Sequence, residues 1–359
     1  MGTFYANTKI FHFPDRLSAL AQGEMAPPVH IRLKPTNRCN HRCHYCCYRN
    51  SNLFLSQLMK ETDQIPAAKM AELVRDFVHL GVKAVTFSGG GEPLCYPHIV
   101  PTIAGLTTGG IKVAMLSNGG LLHGEVADLL ATRAVWLRIS MDAADPEGYA
   151  ASRGVTPAEF DRVCANIKHF ARISGRSCVL GLNLIVTRDN SPHLLDFLKM
   201  TRDLGVDHVK VSGVVISTEP AENDAYHAPI YPLVRRQLDQ AISLLNNDNF
   251  SIIDLLHEPA SRKEIYQKGY DWCPMSRFLV VIGADQQVYT CQDKAYTTSG
   301  LLGTLADTDF LQFWHSPQTA ARLKALDPSR DCRHHCVAHH KNLMLLDYFE
   351  ADPGHLEFV

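Results

Sequence analysis

Three cysteines stand close together in the sequence and can hold a metal centre. Cys39, Cys43 and Cys46 form a C-x3-C-x2-C pattern shortly after an apolar stretch at residues 29–33. Thiolates on so short a loop can converge on one soft metal centre. They cannot pair as disulfides among themselves without leaving one thiol over. The pattern therefore indicates metal chemistry.

Two kinds of metal centre fit three neighbouring thiolates. A tetrahedral zinc ion needs a fourth ligand, for which Cys47, His41 and His44 are close in sequence. A [4Fe-4S] cluster held by only three cysteines leaves one iron open, and an open iron can bind a substrate or a cofactor. The pattern alone leaves both alternatives open.

A second group of cysteines lies toward the end of the chain and consists of Cys273, Cys291, Cys332 and Cys336. Four thiolates in two separated pairs can bind zinc or a [4Fe-4S] cluster. The sequence has eleven cysteines in 359 residues and shows no secretion signal. Metal or redox chemistry therefore explains the cysteines better than disulfides do.

Charge and composition exclude several classes of function. The formal net charge is −2 and the isoelectric point is near 6.8, so no basic field indicates a nucleic-acid partner. No run of about 18 apolar residues is present, so we expect no membrane-spanning helix and no membrane partner. Without a secretion signal, the sequence predicts a cytoplasmic protein.

Strands and helices alternate between residues 29 and 246, which predicts an α/β fold with a parallel sheet. The predicted strands are residues 29–34, 82–87, 111–116, 135–140, 178–186 and 207–213. A first helix runs from Pro66 to Gly81, and later helices are predicted at 97–107, 121–131, 157–173, 191–204 and 229–246. Six βα units are too few to close an eight-stranded barrel, so we expect an open, partial (β/α)6 barrel.

The alternation ends near residue 250, where we place a domain boundary. A β-hairpin is predicted from residues 278–282 and 287–290, followed by short helices at 308–314, 317–325 and 338–349. The predicted organisation is a lead-in at residues 1–28, a core domain at 29–250 and a smaller C-terminal domain at 251–359.

Glycines and polar side chains follow the predicted strands at their carboxyl ends, where parallel α/β sheets bind ligands. The turn after the second strand reads Ser88, Gly89, Gly90, Gly91 and Glu92. Later strand ends carry Ser117, Asn118, Ser140, Asp142, Asn183 and Thr187, and Arg153 lies in the loop before the next helix. Taken singly, these features are as well explained by a tight turn, a helix cap or a surface position.

In combination, the three-cysteine loop, Tyr45 just before Cys46 and the glycine turn at 88–92 resemble the signature of radical S-adenosylmethionine (SAM) enzymes. The resemblance implies a [4Fe-4S] cluster on Cys39, Cys43 and Cys46 whose open iron chelates the amino and carboxylate groups of SAM. It also implies a partial (β/α)6 barrel. The residues that it predicts to line the SAM site are Tyr45, Ser88, Gly89, Gly90, Gly91, Glu92, Ser117, Asn118, Ser140, Asp142, Arg153, Asn183 and Thr187.

The C-terminal cysteines, which flank and follow the predicted hairpin, resemble the twitch domain, the short form of the SPASM extension found in this family. The full SPASM form uses more cysteines than the four found here. The resemblance therefore implies one auxiliary [4Fe-4S] cluster on Cys273, Cys291, Cys332 and Cys336. A structural zinc ion on the same thiolates stays the alternative.

The resemblance implies a reaction as well. An electron from a donor such as flavodoxin or ferredoxin would cleave SAM into methionine and a 5′-deoxyadenosyl radical, which takes a hydrogen atom from a small-molecule substrate. The layout is similar to that of an aminocyclitol dehydrogenase, so we expect a sugar-like or aminocyclitol metabolite and oxidation or epimerisation at carbon. The alternatives are modification of a ribosomally made peptide, against which we find no leader-binding module, and a non-catalytic Fe–S or zinc protein.

Two further thiols are candidate catalytic residues. Cys47 follows the three-cysteine loop and Cys95 follows the glycine turn, so both can face the reaction cavity. If the enzyme epimerises a carbon centre, one of them can return a hydrogen atom to the substrate, because the S–H bond is weak. If it oxidises an alcohol, which we favour, neither is needed, and both are buried, inert thiols.

Overall fold

Ten strands organise the fold in the computed structural model, which describes residues 6–49, 51–53, 55–256 and 263–358. The predicted lead-in and C-terminal domain therefore have parts, residues 1–5 and 257–262, that lie outside the description. The strands are β1 (His30–Leu33), β2 (Ala84–Phe87), β3 (Lys112–Ser117), β4 (Ala134–Ser140), β5 (Val179–Val186), β6 (His208–Gly213), β7 (Ser251–Asp254), β8 (Leu279–Ile282), β9 (Gln287–Tyr289) and β10 (Leu301–Thr304).

The strands form one sheet in the order β10-β9-β8-β1-β2-β3-β4-β5-β6-β7. Strands β1 to β7 run parallel to one another, and β8 is parallel to β1. Strands β9 and β10 continue the β8 side as an antiparallel meander. The predicted α/β fold with a partial barrel is confirmed, and the sheet is wider than the six predicted strands because β7 and β8 add one parallel strand at each side.

Helices connect the parallel strands, and further helices precede β1 and follow β10. They are α1 (Pro14–Ala21), α2 (Ala67–His79), α3 (Ile99–Thr108), α4 (Glu125–Arg133), α5 (Pro146–Arg153), α6 (Ala158–Ala171), α7 (Leu194–Asp203), α8 (Pro220–His227), α9 (Tyr231–Leu245), α10 (Lys263–Tyr266), α11 (Phe310–Trp314), α12 (Pro317–Ala325), α13 (Pro328–Asp331) and α14 (His339–Glu350). Among the described helices, none is long and apolar enough to cross a membrane.

The two faces of the sheet differ in burial. Alternate side chains of a strand point to opposite faces, and on β5 the helix-facing residues Leu180, Leu182 and Leu184 are at most 1% exposed. Asn183 and Ile185, which point the other way, are only half-buried. We call the side that faces away from the helices the inner face of the partial barrel. The side chains on the inner face of β5 are therefore less completely buried than those that face the helices.

Helix α5 was not predicted, and its presence corrects the position of Arg153. Asp145 caps the helix by accepting a hydrogen bond from the Gly148 amide at 2.7 Å, and Pro146 occupies a first-turn position. Gly154 ends the helix with a φ of 61°. Arg153 is therefore the last residue of a helix, and its prediction as a loop residue is wrong. The prediction failed because the short segment between the caps has too few apolar residues to show a helical pattern in the sequence.

The C-terminal segment packs onto the core through both sheet and helices. The predicted hairpin is confirmed as β8 and β9, and β8 pairs with β1 along its whole length. Phe310 of α11 is fully buried and makes an edge-to-face contact with Phe77 of α2, with the ring centroids 5.3 Å apart. One sheet thus runs across the boundary predicted near residue 250, and the division into domains stays a prediction.

The Phe310 anchor gives a test of this packing. Replacing Phe310 with alanine removes a fully buried ring and should lower the free energy of unfolding by about 3–5 kcal/mol, as measured by urea denaturation. Phe358→Ala is the matched control, because that ring is 82% exposed and its loss should change little. Equal destabilisation by both substitutions would contradict the packing described.

Candidate functional site

The three-cysteine loop follows β1 at the carboxyl end of the sheet, and Cys39, Cys43 and Cys46 are all partly exposed. Burial raises the pKa of Cys39 to about 12, and the nearby thiol of Cys43 adds to the rise. Burial also raises the pKa of Cys46, again with a contribution from Cys43. Cys43 thus lies near enough to both Cys39 and Cys46 to influence their pKa values, and their role as cluster ligands stays a prediction.

Backbone hydrogen bonds join this loop to the end of α5. The Arg42 amide donates to the Arg153 carbonyl at 2.7 Å, and the His44 amide donates to the Ser152 carbonyl at 3.2 Å. Gly154 lies so close to the loop that an added Cβ would meet the Arg42 carbonyl oxygen at 2.7 Å. Glycine is thus required here both for its positive φ and for the close approach.

His41 holds the loop from a third direction. Its ring is 1% exposed, and Nε2 lies 3.1 Å from a carboxylate oxygen of Glu159 on α6. Burial lowers the pKa of His41. Three side chains can bind one metal ion when their ligand atoms all lie close together, here within 4.8 Å of one another. Among the described residues, neither His41 nor any cysteine of this loop belongs to such a group of Cys, His, Asp or Glu side chains. The geometry therefore does not resemble a zinc site completed by His41.

The glycine turn at 88–92 packs against the start of the same loop. The Gly91 amide donates to the Thr36 carbonyl at 3.1 Å, and the Glu92 amide donates to the Arg38 carbonyl at 2.9 Å. A Cβ on Gly91 would overlap the Arg38 carbonyl. The glycines therefore serve close backbone approach between the turn and the loop.

Glu92 connects the glycine turn to the end of β3. Its carboxylate is 3% exposed and accepts hydrogen bonds from the Ser117 hydroxyl at 2.8 Å and the Asn118 amide at 2.7 Å. Burial raises the pKa of Glu92. The Asn118 side chain in turn donates to Asn40 Oδ1 at 2.7 Å and lies 4.0 Å from Cys39 Sγ. Glu92 thus positions Ser117 and Asn118 beside the loop.

Asp142 lies at the end of β4 and connects Tyr45 with Arg153. The carboxylate is 2% exposed, accepts from the Ile185 amide at 2.8 Å, accepts from the Tyr45 hydroxyl and forms an ion pair with Arg153. Burial raises the pKa of Tyr45, so the hydroxyl keeps its proton and donates. Arg153 also lies 3.5 Å from Cys43 Sγ. This buried group ties the cluster loop to β4, β5 and α5.

A cavity of about 420 Å3 opens beside Tyr45, between α5, α7 and the ends of β4 and β5. Its volume is within the range of small-molecule sites. Of the predicted SAM-site residues, it is lined by Tyr45, Asp142 and Thr187. The other predicted SAM-site residues are all described, but they do not line this cavity. They are Ser88, Gly89, Gly90, Gly91, Glu92, Ser117, Asn118, Ser140, Arg153 and Asn183.

Two functional positions at the sheet edge were missed from the sequence. Asn190 donates to the carbonyls of Asp142 and Ile185 at 3.0 and 2.8 Å, which fixes the ends of β4 and β5 together. Lys34 is fully buried and donates to Tyr48 and to the Gly89 carbonyl, and burial lowers its pKa to about 7. The available signals were an asparagine in a strand-end loop and a lysine just before a cysteine motif, and neither is specific.

Cys47 and Cys95 lie in different surroundings. Cys47 packs against the apolar group that contains Tyr48, Tyr289 and Tyr296, and burial raises its pKa to about 12. Cys95 is half-buried, with its thiol 3.8 Å from Asn40 Oδ1. Both thiols are described, and neither lines the cavity beside Tyr45. Their predicted catalytic role stays a prediction.

The four C-terminal cysteines share one region. Burial raises the pKa of Cys291, with further contributions from Asp293 and from the other three thiols, Cys336, Cys332 and Cys273. The Asn342 side chain on α14 donates to Cys273 Sγ at 3.4 Å. The structure therefore brings together the thiols that the sequence predicted as one ligand set.

Spacing distinguishes two kinds of metal centre for this set. The described part of the chain contains one group of three potential metal ligands whose ligand atoms all lie within 4.8 Å of one another. The group consists of Cys291, Asp293 and His334. No three of the C-terminal thiols meet that limit. Sulfurs around one zinc ion are about 3.8 Å apart, given Zn–S bonds of about 2.3 Å. The described C-terminal thiols are therefore not gathered around a single zinc ion, and Asp293 is a potential ligand that the sequence did not reveal.

Comparison with known proteins gives the family. The model of the Radical SAM superfamily matches residues 33–225. The GTP 3',8-cyclase of Synechococcus elongatus is 30% identical over 181 residues, which is 48% of this chain and 51% of the relative. The probable GTP 3',8-cyclase of Methanothermobacter thermautotrophicus is 28% identical over 213 residues, 58% of this chain and 65% of the relative. The chain thus spans about half the length of the curated relatives it matches.

Solved structures share the fold. Streptococcus suis SuiB bound to S-adenosylmethionine superposes with a TM-score of 0.62 at 16% identity, over 90% of this chain and 75% of SuiB. The protein anSMEcpe with bound AdoMet has a TM-score of 0.58 at 17% identity, over 90% of this chain and 96% of its own. The family match includes the three-cysteine loop, the glycine turn and the strand ends described above, and the chain belongs to the radical SAM superfamily of enzymes.

Proposed function

We propose that the chain is a radical SAM enzyme that removes a hydrogen atom from a carbon of a small metabolite. The observation that carries the proposal is the cluster loop itself, which carries Cys39, Cys43 and Cys46 and is held by backbone hydrogen bonds between the glycine turn and α5. When bound, a [4Fe-4S] cluster on these thiolates and SAM supply the reductive cleavage that yields the hydrogen-abstracting 5′-deoxyadenosyl radical.

The residues around the loop act by positioning it. Tyr45 and Arg153 both bind Asp142, which keeps Cys43 and Cys46 at a fixed place over β4 and β5. On the other side, Glu92 holds Ser117 and Asn118 against the start of the loop. Fixed donors and acceptors cost no reorganisation when a polar ligand binds. We assign to SAM the region between this loop and the ends of β3, β4 and β5.

We further propose one auxiliary [4Fe-4S] cluster on Cys273, Cys291, Cys332 and Cys336 in a twitch-type C-terminal extension. The position of the four thiols in one region supports a shared metal centre, and the resemblance to the twitch domain favours a cluster over structural zinc. An electron donor such as flavodoxin or ferredoxin is part of the proposal. A cytoplasmic location stays a prediction.

A sugar-like small metabolite is the proposed substrate class. The relatives in Synechococcus and Methanothermobacter are named for GTP, a nucleotide, which supports a small molecule over a peptide but does not itself favour a sugar-like one. SuiB and anSMEcpe share only the fold at 16–17% identity, so they do not favour a peptide substrate. We favour oxidation over epimerisation by a thiol donor, and the catalytic role of Cys47 and Cys95 stays a prediction.

The cluster assignment predicts the effect of removing its thiolates. Changing Cys39, Cys43 and Cys46 together to alanine should reduce 5′-deoxyadenosine formation to background in an anaerobic assay with SAM and dithionite, because no open iron is then held. Cys164→Ala on α6 is the control and should keep the wild-type rate. Continued SAM cleavage by the triple variant would refute the assignment.

Metal content tests both clusters together. Three plus four thiolates imply about eight irons per chain in anaerobically reconstituted protein, by the ligand count of [4Fe-4S] sites. Replacing all four C-terminal cysteines with alanine should leave about four irons. Iron, sulfide and zinc are measured together, and stoichiometric zinc with about four irons in the wild type would contradict the auxiliary cluster.

The glycine turn predicts a selective loss of the first cluster. A Cβ on Gly91 overlaps the Arg38 carbonyl, so Gly91→Ala should displace the loop and lower the iron content to about four, the auxiliary share. Gly269→Ala is the control, since a Cβ there meets no atom within 4 Å. Full iron loading and normal SAM cleavage in Gly91→Ala would show that this close approach is dispensable.

A further inference from the structure

A hydrogen bond joins the two segments that carry the groups of cysteines. Gln292 directly follows Cys291, and Tyr48 lies two residues after Cys46. The side-chain amide of Gln292 donates to the Tyr48 hydroxyl at 2.5 Å, across 244 positions of the sequence. The contact therefore brings the end of the three-cysteine loop next to the segment that carries one of the C-terminal thiols.

Tyr48 is in turn bound to Cys46. The Arg49 amide donates to the Cys46 carbonyl at 2.8 Å, which closes a turn around Tyr48. The Tyr48 amide also hydrogen-bonds the Cys46 thiol and lowers its pKa, against the larger effect of burial. A displacement of Tyr48 therefore moves the sulfur of Cys46 or removes one of its hydrogen bonds.

Lys34 fixes the Tyr48 hydroxyl from a second side. Nζ of this fully buried lysine donates to the hydroxyl at 2.5 Å and also donates to the Gly89 carbonyl in the glycine turn. The phenol oxygen thus accepts two hydrogen bonds, one from the end of β1 and one from the C-terminal segment. Together the two donors define the direction in which the Tyr48 ring points.

The same C-terminal segment also contacts the chain just before Cys39. The Tyr296 hydroxyl donates to Asn37 Oδ1 at 2.5 Å, and its ring meets that of Tyr48 edge to face, with the centroids 5.8 Å apart. Tyr296 has a φ of 60°. This conformation is costly for a residue with a side chain and persists only where the surrounding contacts determine it. Residues 292–296 therefore contact the chain on both sides of the three-cysteine loop.

Stability alone does not explain a glutamine at position 292. The side-chain oxygen of Gln292 is buried and has no hydrogen-bond partner among the described residues, and an unmet polar group of this kind costs free energy. An apolar side chain of similar size would avoid that cost. The hydrogen bond to Tyr48 is the contact that the amide makes and that an apolar side chain could not make.

We propose that Gln292 is a positioning residue for the SAM-binding cluster and acts on Cys46 through Tyr48. The inference rests on the proposed function, because it presumes a cluster on the three-cysteine loop. It gives the C-terminal extension a task in SAM cleavage that needs no electron transfer, since residues 292–296 hold the loop that carries the thiolates.

The test compares Gln292→Leu, Tyr48→Phe and the double variant as anaerobically reconstituted full-length proteins. Each single substitution removes the hydrogen bond and should lower kcat/KM for 5′-deoxyadenosine formation about tenfold, the effect of one positioning hydrogen bond, while the iron content stays at about eight per chain. Because both remove the same contact, the double variant should be no slower than the slower single variant. Gln318→Leu on α12 is the control, because this glutamine is exposed, and it should keep the wild-type rate.

Electron paramagnetic resonance of the same samples separates positioning from general destabilisation. We expect both single variants to shift the g values of the SAM-responsive signal, whereas a merely structural contact would lower the unfolding temperature and leave that signal unchanged. An unaltered signal and wild-type kcat/KM in Tyr48→Phe, whose ring keeps its packing, would overturn the inference even where Gln292→Leu does not fold. Additive losses in the double variant would overturn it as well. A wild type whose cluster signals do not respond to SAM would reject the proposed function itself, whereas a responsive wild type with unaltered variants would reject only the role of Gln292.

Discussion

The central constraint in this molecule is that an irregular loop must hold three thiols in one arrangement. The loop has no helix or strand between Cys39 and Cys46, so its shape depends on hydrogen bonds to its neighbours. The glycine turn supplies them on one side and the end of α5 on the other. In both places glycine allows the backbones to approach, at Gly91 and Gly154. The parallel sheet brings these segments to one edge.

Buried charge is distributed according to this constraint. Around the loop, ionic groups are paired, as in Asp142 with Arg153 and His41 with Glu159. Buried pairs fix geometry more than they add stability, which suits a loop that has to be held in place. On the inner face, Lys210 instead lies near the guanidinium groups of Arg138 and Arg32. The paired arrangement around the loop suits a structural task.

Residue types and spacing revealed the site, whereas tertiary contacts decided its details. The cysteine motif, the glycine turn and the βα alternation are local in sequence, and they were sufficient to predict the fold class and the family. The position of Arg153 was wrong because the eight-residue helix α5 depends on its caps, Asp145 and Gly154. The contacts of Lys34 and Asn190 were missed because their partners lie far away in the chain or are backbone carbonyls, which no side-chain pattern shows.

The same distinction explains the inner face. Arg32, Arg138 and Lys210 are more than 70 residues apart from one another in sequence, and only strand register places them on one side of the sheet. A single basic residue in a strand is common and indicates nothing by itself. The sheet order and register were therefore needed to see that these three side chains share one face.

Electron paramagnetic resonance of the reduced wild-type protein, recorded with and without SAM, tests the central claim most directly. If Cys39, Cys43 and Cys46 hold a cluster with an open iron, ligation of that iron by SAM changes its electronic surroundings. We predict that saturating SAM shifts the g values of one cluster signal and leaves the auxiliary signal unchanged. A spectrum that SAM does not alter would contradict the account.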